Sequence, residues 1–417
     1  MSNHVLVIDT NKQPLSPCHP SVVRKLLTSG KAAVFRVYPF TIILKREVIA
    51  TPEPIEIKID PGSKTTGIAL KQGDKVLFGA ELTHRGQAIK NSLESRRALR
   101  RGRRARNTRY RPARFSNRTK PKGWLAPSLQ YRVLTTLTWV KRFIRFVPVT
   151  SITQELVRFD LQKMENPEIS GIEYQQGELQ GYEVREYLLE KWDRKCSYCG
   201  AENTHLQIEH IHPKSKGGSN RISNLGLACE PCNTKKGIQA KKPDVLKKVI
   251  AQSKRPLKDA AAVNSTRFAL LKALRTTGLS VTTSSGGRTK FNRTKLGLAK
   301  SHWIDAACVG EVDTLKVLTS NPLIIKSTGH RARQMCRTDK YGFPSRYIPK
   351  SPFVQGFQTG DIVKAIVTTG KKIGTYVGRV AVRSKGSFNI SAKELVQGIG
   401  HKYCQILHRK DGYGYAH

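Results

Sequence analysis

The most regular alternation of apolar and polar residues along the chain lies in residues 55–59. Ile55, Ile57 and Ile59 are each separated by one polar residue, and the run leads directly into Asp60-Pro61-Gly62. A period of two predicts a strand with one face turned towards a core. Two further apolar runs, 67–70 and 75–79, are joined by a turn with glycine and aspartate, which predicts a hairpin after that strand. A β-sheet core is therefore expected to begin near residue 55.

The chain on either side of this hairpin predicts a mixture of helices and strands. Towards the amino terminus the pattern predicts a strand over 5–9, a turn over 14–17, a helix over 22–29 ended by Gly30, and an alternating segment over 32–44. Further along it predicts a helix over 130–146, a strand over 148–157, a linker over 166–182, a helix pair over 244–277, and a loop over 284–287 that leads to a helix near 304–319. From about residue 351, short β-rich runs with frequent glycine predict a small separate β-barrel.

The chain is strongly basic. It has 74 lysine and arginine residues against 30 acidic ones in 417 residues, which gives a formal net charge of +44. An excess of this size repels itself in a compact protein unless a polyanion neutralises it. Nucleic acid is the partner that such a charge favours. Two alternatives stay open, a membrane surface and a basic surface that serves solubility alone.

The length and the distribution of apolar residues limit the class of protein further. A chain of this length is expected to hold about two to four domains. The sequence has no apolar run of about 18 residues and no signal-peptide pattern at its start. It therefore predicts no membrane partner and a cytoplasmic protein, associated with the nucleoid when bound to DNA.

Four of the eight cysteines are clustered. Cys196, Cys199, Cys229 and Cys232 form two C-x-x-C pairs within 37 residues. Each pair offers two thiolates from one tight turn, so the two together can close a tetrahedral Zn²⁺ site. Such a site has no open coordination position, which predicts a structural zinc. The alternative is a zinc ribbon that only binds nucleic acid.

Polar residues with a known pattern lie between and just after these cysteine pairs. Glu209-His210 follows a short apolar alternation, Asn224 comes before the second pair, and Asn233 directly follows the last cysteine. This order resembles the HNH, or ββα-metal, nuclease family. The resemblance implies that His210 is the general base that takes a proton from water, and that Glu209 and Asn233 hold one Mg²⁺ on the scissile phosphate. Asn224 would fix the loop or orient the base.

A second set of candidate metal ligands lies outside this module. Phosphodiester hydrolysis in RNase H-like folds uses carboxylate or imidazole ligands from a first strand, a later strand and a late helix, around two Mg²⁺. The sequence offers Asp60, Glu155 and the pair His302 and Asp305 in that order, and the pair has the spacing of one helix face. Each residue alone has a plainer interpretation, as a turn aspartate or as a solvent-facing glutamate.

These features together resemble the IscB family. They are Asp60-Pro61-Gly62 after an isoleucine strand, an arginine-rich segment, two halves of a nuclease around an HNH insert, and a helix with His302-x-x-Asp305. IscB proteins are prokaryotic, transposon-encoded, RNA-guided nucleases considered ancestral to the large CRISPR effector that has RuvC and HNH domains. One departure is that the family's Pro-Leu-Met-Pro motif appears here as Pro14-Leu15-Ser16-Pro17.

The resemblance implies an α/β multidomain fold, with an RNase H-like RuvC core split by a ββα-metal HNH insertion and a small β-rich C-terminal domain. The implied divisions are an N-terminal domain over 1–50, RuvC-I over 51–90, a bridge helix over 91–120, RuvC-II and a linker over 121–182, the HNH domain over 183–242, RuvC-III over 243–325, and a domain over 326–417 that reads a motif beside the target. Asp60, Glu155 and Asp305 would hold two Mg²⁺ in the RuvC core.

Residues 96–118 hold eleven arginines and no acidic residue. Like charges four residues apart oppose helix formation, so this segment is expected to become ordered on RNA, whose phosphates remove the repulsion. By resemblance it is the bridge helix that grips guide RNA, through Arg96, Arg97, Arg100, Arg101, Arg103, Arg104, Arg106 and Arg109. The alternative is a disordered basic tail.

The expected function is RNA-guided double-strand DNA cleavage, with one chain bound to one guide RNA of the omega-RNA type. The HNH centre would cut the guide-paired strand and the RuvC centre the displaced strand. The chain is too short for a lobe that encloses a guide–target duplex of about 20 base pairs, so a structured RNA would have to supply that scaffold. Two alternatives stay open, a protein-only HNH endonuclease of the homing kind and a non-catalytic RNA-binding protein.

Overall fold

The computed structural model describes residues 2–49, 51–106, 123–156, 182–202, 204–235, 243–254, 260–329, 336–341, 343–347, 351–392 and 394–416. Strands in these ranges form a small sheet near the amino terminus, a large central sheet, a two-stranded pair in the cysteine module, two short hairpins and a five-stranded sheet near the carboxyl terminus. None of the described helices is both long enough and apolar enough to cross a membrane.

The helices are α1 (Pro20–Thr28), α2 (Gly86–Ala105), α3 (Pro127–Phe146), α4 (Tyr182–Lys191), α5 (Glu230–Lys235), α6 (Pro243–Ser253), α7 (Ala260–Arg275), α8 (Gly286–Lys295) and α9 (His302–Ala307). The strands are β1 (Val5–Ile8), β2 (Pro14–Cys18), β3 (Ala32–Arg36), β4 (Thr41–Leu44), β5 (Ile55–Pro61), β6 (Thr65–Gln72), β7 (Lys75–Thr83), β8 (Val149–Glu155), β9 (Leu206–His210), β10 (Leu225–Cys229), β11 (Ser280–Ser284), β12 (Lys316–Val317), β13 (Leu323–Ser327), β14 (Cys336–Thr338), β15 (Pro344–Tyr347), β16 (Phe353–Val354), β17 (Phe357–Gln358), β18 (Ile362–Val367), β19 (Gly374–Ala381), β20 (Ser387–Ser391), β21 (Leu395–Gly400), β22 (Cys404–His408) and β23 (Tyr413–Ala416).

The amino-terminal sheet has the strand order β2-β1-β4-β3, and α1 connects β2 to β3. The helix predicted over 22–29 is confirmed as α1, which ends just before Gly30 with its φ of +69°. The turn predicted over 14–17 is wrong, because these residues form β2, antiparallel to β1. β2 lies at an edge of the sheet, where a proline without an N–H is tolerated.

The central sheet has the strand order β11-β8-β5-β6-β7-β13-β23, with β12 beside β7. The hairpin predicted after residue 59 is confirmed, since β5, β6 and β7 form an antiparallel meander. On the other side of β5 the neighbours β8 and β11 run parallel to it and to each other. Strands that precede the cysteine module and strands that follow it therefore lie in one sheet.

The largest core lies between this sheet and helix α3. Ile55, Ile57 and Ile59 are fully buried in one cluster with Trp139 and Phe143 of α3, which confirms the alternation and the amphipathic helix predicted over 130–146. The intervening Lys58 is buried as well, and its Nζ donates a hydrogen bond to the Val309 carbonyl at 2.6 Å. The other face of β5 is therefore also covered, which a simple alternation does not predict.

Two predictions after residue 280 are wrong. The helix predicted near 304–319 begins at His302 and ends at Ala307, because Gly310 has a φ of +83° and turns the chain towards β12. The loop predicted over 284–287 is instead the end of β11 and the start of α8. The Ser285 side chain caps α8 by accepting a hydrogen bond from the Arg288 N–H, which satisfies a backbone donor that the first turn leaves open.

The cysteine module has a separate small core. Helix α4 packs against the antiparallel pair β9 and β10, and Leu188, Leu206 and Leu227 lie in the resulting cluster. Helix α5 follows β10 directly and carries Cys232 and Asn233. The linker predicted over 166–182 lies outside the described residues except for Tyr182, the first residue of α4. The helix pair predicted over 244–277 is confirmed as α6 and α7.

The carboxyl-terminal region is β-rich, as predicted, but differs from a separate barrel. Its main sheet has the order β21-β20-β19-β18-β22, which has two ends and does not close. Phe388, Ile390 and Val363 are fully buried in its core. After β22 the chain returns to the central sheet, where β23 pairs antiparallel with β13.

Helix α2 contains the described part of the arginine-rich segment. It begins at Gly86, well before the arginines, and ends at Ala105. Residues 96–105 are helical in this structure, and the expectation that RNA orders the segment stays a prediction. A Cβ at Gly86 would lie 2.8 Å from Arg132 Nε, so α2 starts against α3. The rest of the segment, with Arg109, lies outside the described residues.

Candidate metal centre and active sites

The four clustered cysteines converge at the base of the module. Their sulfur atoms all lie within 4.8 Å of one another, and across the described residues no other group of three or more His, Cys, Asp or Glu side chains gathers in this way. The turn after Cys196 is tight because Gly200 donates to the Cys196 carbonyl at 2.9 Å with a φ of +76°. Cys199 and Cys229 bring the two pairs together, with their sulfurs 3.6 Å apart.

The electrostatics of this cluster fit a soft cation. Burial acts to raise the pKa of Cys196, but N–H donors from Cys199 and Cys229 outweigh it and leave that pKa below the ordinary value. The pKa of Cys232 is raised, first by burial and then by hydrogen bonds with the other cysteines. A divalent cation favours the thiolate form of all four ligands, so this set of donors fits Zn²⁺.

Glu209 and His210 occupy the end of β9. They pair with Gly226 and Leu225 of β10, and adjacent strand residues point to opposite faces of the pair. Glu209 is buried, and its carboxylate accepts a hydrogen bond from the Tyr198 hydroxyl. The His210 Nε2 lies 2.9 Å from Asn220 Oδ1 on the more open side. The candidate base His210 therefore lies on the more exposed side of β9, whereas the Glu209 carboxylate lies on the opposite side and is buried in the cysteine module.

The two candidate asparagines lie in different surroundings. Asn224 accepts a hydrogen bond from the His212 N–H at 2.8 Å and donates to the carbonyls of His212 and Ser219, so it fixes the loop between β9 and β10. Asn233 on α5 donates to Gln207 Oε1 at 2.6 Å. Gln207 and Glu209 share a face of β9, so Asn233 reaches the side with the carboxylate and not the side with His210. The assignment of both asparagines to a catalytic set stays a prediction.

Asp60 and Glu155 meet at one edge of the central sheet. The parallel strands β5 and β8 align Ile59 with Gln154, so the next residue of each strand is a carboxylate. Both carboxylates are largely buried. These are the two strand positions that the sequence predicted for a second centre.

Helix α9 brings His302 to the same edge. Asp60 pairs with Gly67 of β6, and a Cβ at Gly67 would lie 1.8 Å from the His302 carbonyl oxygen, so only glycine allows α9 to pack there. The His302 Cε1 lies 3.9 Å from the position of a Cβ at Gly62. The chain therefore places His302 beside the end of β5.

Two arginines that the sequence did not indicate contact the carboxylates of this centre. The Arg293 Nε lies 2.7 Å from Asp305 Oδ1, and the Arg267 Nη2 donates to Glu155 Oε1 at 3.4 Å. Within the described residues, the carboxylates here do not gather as closely as the four cysteines do. The sequence holds no distinct signal for Arg267, because helix α7 also carries other polar and basic residues, among them Lys272 and Arg275.

The described arginine side chains of α2 are exposed. They are Arg96, Arg97, Arg100, Arg101 and Arg104, and Arg106 directly after the helix is exposed as well. Glu94 is the only acidic residue of this helix. The helix therefore presents a strongly positive surface suited to a phosphate backbone.

Comparison with known proteins assigns two regions of the chain. Residues 5–177 match the family model described as RRXRR protein, and residues 196–239 match the model described as HNH endonuclease. The cysteine module is therefore an HNH endonuclease domain. Comparison with curated proteins gives no match.

Among solved structures the chain is similar to Cas9 proteins at low identity. Streptococcus thermophilus Cas9 in complex with AGGA PAM is 14% identical, with a TM-score of 0.23, over 62% of this chain and 32% of that one. The type II-C Cas9 enzyme from Actinomyces naeslundii is 18% identical, with a TM-score of 0.15, over 49% of this chain and 33% of that one. The matched region thus spans about a third of the length of these proteins.

Proposed function

We propose that this protein is an RNA-guided double-strand DNA endonuclease of the IscB kind. The observation that carries the proposal is the Glu209-His210 pair at the end of β9, inside a domain that matches HNH endonucleases. The HNH centre cuts the DNA strand that pairs with the guide. A second, RuvC-like centre at Asp60 and Glu155 cuts the displaced strand.

In the HNH centre, His210 accepts a proton from the attacking water. Imidazole suits this task near neutral pH, and the Asn220 Oδ1 lies 2.9 Å from the His210 Nε2. Glu209 and Asn233 would hold one Mg²⁺, since both offer oxygen ligands on the same side of β9. When bound, the ion stabilises the negative charge that develops on the phosphate. The four cysteines hold a structural Zn²⁺ that fixes α5 against β9 and β10.

In the second centre, Asp60, Glu155 and Asp305 would hold two Mg²⁺. His302, which lies beside the end of β5, would act in catalysis with them. The support is structural. The first two carboxylates end adjacent parallel strands, and α9 packs on Gly67 directly beside them. Oxygen ligands from carboxylates are the kind that Mg²⁺ prefers.

The charge supports RNA as the source of sequence specificity. A net charge of +44 and the exposed arginines of α2 fit a long phosphate backbone. We expect one chain to bind one structured guide RNA, and the basic carboxyl-terminal sheet to read a short motif beside the target. Its basic residues are Lys364, Lys371, Lys372, Arg379, Arg383 and Lys385. The protein would act in the cytoplasm of a prokaryote, on the nucleoid.

A protein-only HNH endonuclease is the second candidate function. It would cut duplex DNA without RNA and would need no second centre. The two are separated by purifying the protein from cells, sequencing the RNA that copurifies, and reprogramming the guide portion of that RNA. Cleavage that follows the new guide supports the proposal, whereas guide-independent cleavage supports the second candidate. Absence of any cleavage with a bound RNA would favour a non-catalytic RNA-binding protein.

A further inference from the structure

Arg267 is a buried arginine at the edge of the central sheet. Only 4% of it is exposed, although it lies in a chain whose basic residues are mostly at the surface. A buried cation is costly unless it is paired and hydrogen-bonded. Its Nε donates to the Pro61 carbonyl at 3.1 Å, and its Nη2 donates to Glu155 Oε1 at 3.4 Å. One guanidinium therefore connects the end of β5 to the end of β8.

The backbone of Arg267 is fixed as well. Gln154 is fully buried on β8, and its Nε2 donates to the Arg267 carbonyl at 3.0 Å. This bond ties helix α7 to the strand that carries Glu155. The guanidinium thus starts from a fixed point and reaches both strand ends with its planar fork, which a lysine ammonium cannot reproduce.

We propose that Arg267 is a positioning residue of the centre formed by Asp60 and Glu155, an inference that rests on the function proposed for that centre. By holding the Pro61 carbonyl, it fixes the position of the adjacent Asp60. By donating to Oε1 of Glu155, it orients that carboxylate. Such outer contacts to ligands are commonly worth about ten- to a hundred-fold in metal affinity.

The test measures the Mg²⁺ concentration at half-maximal cutting of each strand, with the RNA-loaded protein and strand-labelled DNA. In Arg267→Met we expect this concentration to rise about ten- to a hundred-fold for the displaced strand and to stay unchanged for the guide-paired strand. Arg267→Lys keeps the charge but cannot contact both Pro61 and Glu155, so we expect an intermediate rise in this Mg²⁺ concentration. Arg288→Met is the matched control, because Arg288 is half exposed and pairs with Glu311 at the surface.

A second readout does not depend on cutting. Fe²⁺ replaces Mg²⁺ in the RNA-loaded complex, and added ascorbate and peroxide break the backbone near each bound ion, so fragment lengths separate the two centres. We expect Arg267→Met to lose fragments that end near residues 60 and 155 and to keep those that end near 209 and 233. Arg288→Met, whose guanidinium lies at the surface beside Glu311, should keep all fragments.

Several results would overturn the inference. They are an unchanged or lower Mg²⁺ requirement for the displaced strand in both variants, and iron-dependent fragments near residues 60 and 155 that persist in Arg267→Met. Failure of the proposed function looks different, because wild-type protein would then cut no displaced strand. If Arg267→Met does not fold, Arg267→Lys still tests the inference through the Mg²⁺ concentration at half-maximal cutting of the displaced strand.

Discussion

His210 and Asp60 lie in the two proposed centres, His210 on β9 of the HNH domain and Asp60 on β5 of the central sheet. His210→Ala removes the proposed base, so we expect a nickase that cuts only the displaced strand. Asp60→Ala removes a proposed metal ligand, so we expect the opposite nickase. Cleavage of DNA labelled on either strand measures both. Loss of both cuts from either single change would mean that the two residues serve one shared centre.

Gly67 tests how closely α9 must approach β6. A Cβ at this position would lie 1.8 Å from the His302 carbonyl oxygen, so Gly67→Ala must push α9 away from Asp60. We expect a loss of about 1–3 kcal/mol in unfolding free energy and strongly reduced cutting of the displaced strand. Guide-paired cutting should persist. Gly102→Ala is the control, because a Cβ there meets nothing within 4 Å and alanine favours a helix.

At this scale the sequence could predict residues that follow a motif but not their partners. Glu209 and His210 were recognisable because their spacing from the cysteines is fixed by two strands and one helix. Arg267 and Tyr198 were not, because the choice of a buried partner depends on tertiary placement. Arg267 contacts a strand more than a hundred residues earlier in the chain.

Among the elements, the two turns that carry the four cysteines are proposed to hold the HNH domain together around Zn²⁺. Cys196→Ser or Cys229→Ser removes one thiolate of four, so we expect loss of one Zn²⁺ per chain, measured by metal analysis. The small core of the module is then expected to melt while the central sheet stays folded, because the two have separate cores. Limited proteolysis should cut within 183–242 alone. Cys336→Ser is the control, and its zinc content should equal that of the wild type.

If pure wild-type protein contains no zinc, the four-cysteine assignment is wrong. If both cysteine variants lose zinc and the central sheet also unfolds, the module is not an independent folding unit.

Helix α2 is the element that should set the salt dependence of RNA binding. Changing Arg100, Arg101, Arg103 and Arg104 to alanine removes up to four phosphate contacts, and each contact releases counterion. We expect weaker guide binding and a log–log salt slope that flattens by about one unit per lost contact. Binding measured by filter retention from low to moderate salt tests this. The same slope and affinity in the quadruple variant would mean that the guide is held elsewhere.

Elements with strong internal periodicity were predictable, and elements defined by their neighbours were not. β5 and α3 bury one complete face, so apolar spacing reveals them. β11 is an edge strand with mostly exposed or half-exposed residues, and its Ser-Val-Thr-Thr-Ser sequence needs no apolar alternation. The helix after His302 was overextended because apolar residues continue past it into buried turns around Gly310.

Over the whole molecule, distant parts of the chain complete one sheet. β11 and β13 follow the HNH domain, and β23 is the last described strand, yet all three join β5–β8. Local sequence patterns carry no information about such pairings. The order of the candidate ligands, in contrast, indicated that the two halves of the chain come together. Asp60, Glu155 and Asp305 can share a site only if the parts of the chain on both sides of the insert fold together.

Asp411 lies just before β23, the strand with which the chain rejoins the central sheet, and it connects this strand to neighbouring elements. Its Oδ2 lies 2.9 Å from Arg142 Nη1 of α3, 3.4 Å from Arg36 Nη2 of the amino-terminal sheet and 3.5 Å from His408 Nε2 of β22. The Tyr415 hydroxyl of β23 donates to the same carboxylate. One partly buried carboxylate thus contacts three sheets and a helix.

This carboxylate predicts a defined pH dependence of stability. Burial acts to raise the pKa of Asp411, but hydrogen bonds from His408 and Tyr415 and the charge of Arg142 outweigh it and lower the pKa to about 2. Because the folded-state pKa lies below the unfolded value of 3.8, the stabilisation is present above pH 3.8 and is lost as pH falls towards 2. Asp411→Asn should cost about 2 kcal/mol at pH 6, because it leaves the partly buried Arg36 and Arg142 without their counterion. Urea unfolding at pH 6 and at pH 3 should show that the difference in unfolding free energy between variant and wild type shrinks at the lower pH.

Asp313→Asn is the matched control, since Asp313 lies on an exposed loop, and it should change the unfolding free energy at neither pH. A difference that stays constant between the two pH values would show that Asp411 holds the three sheets by packing and not by its charge.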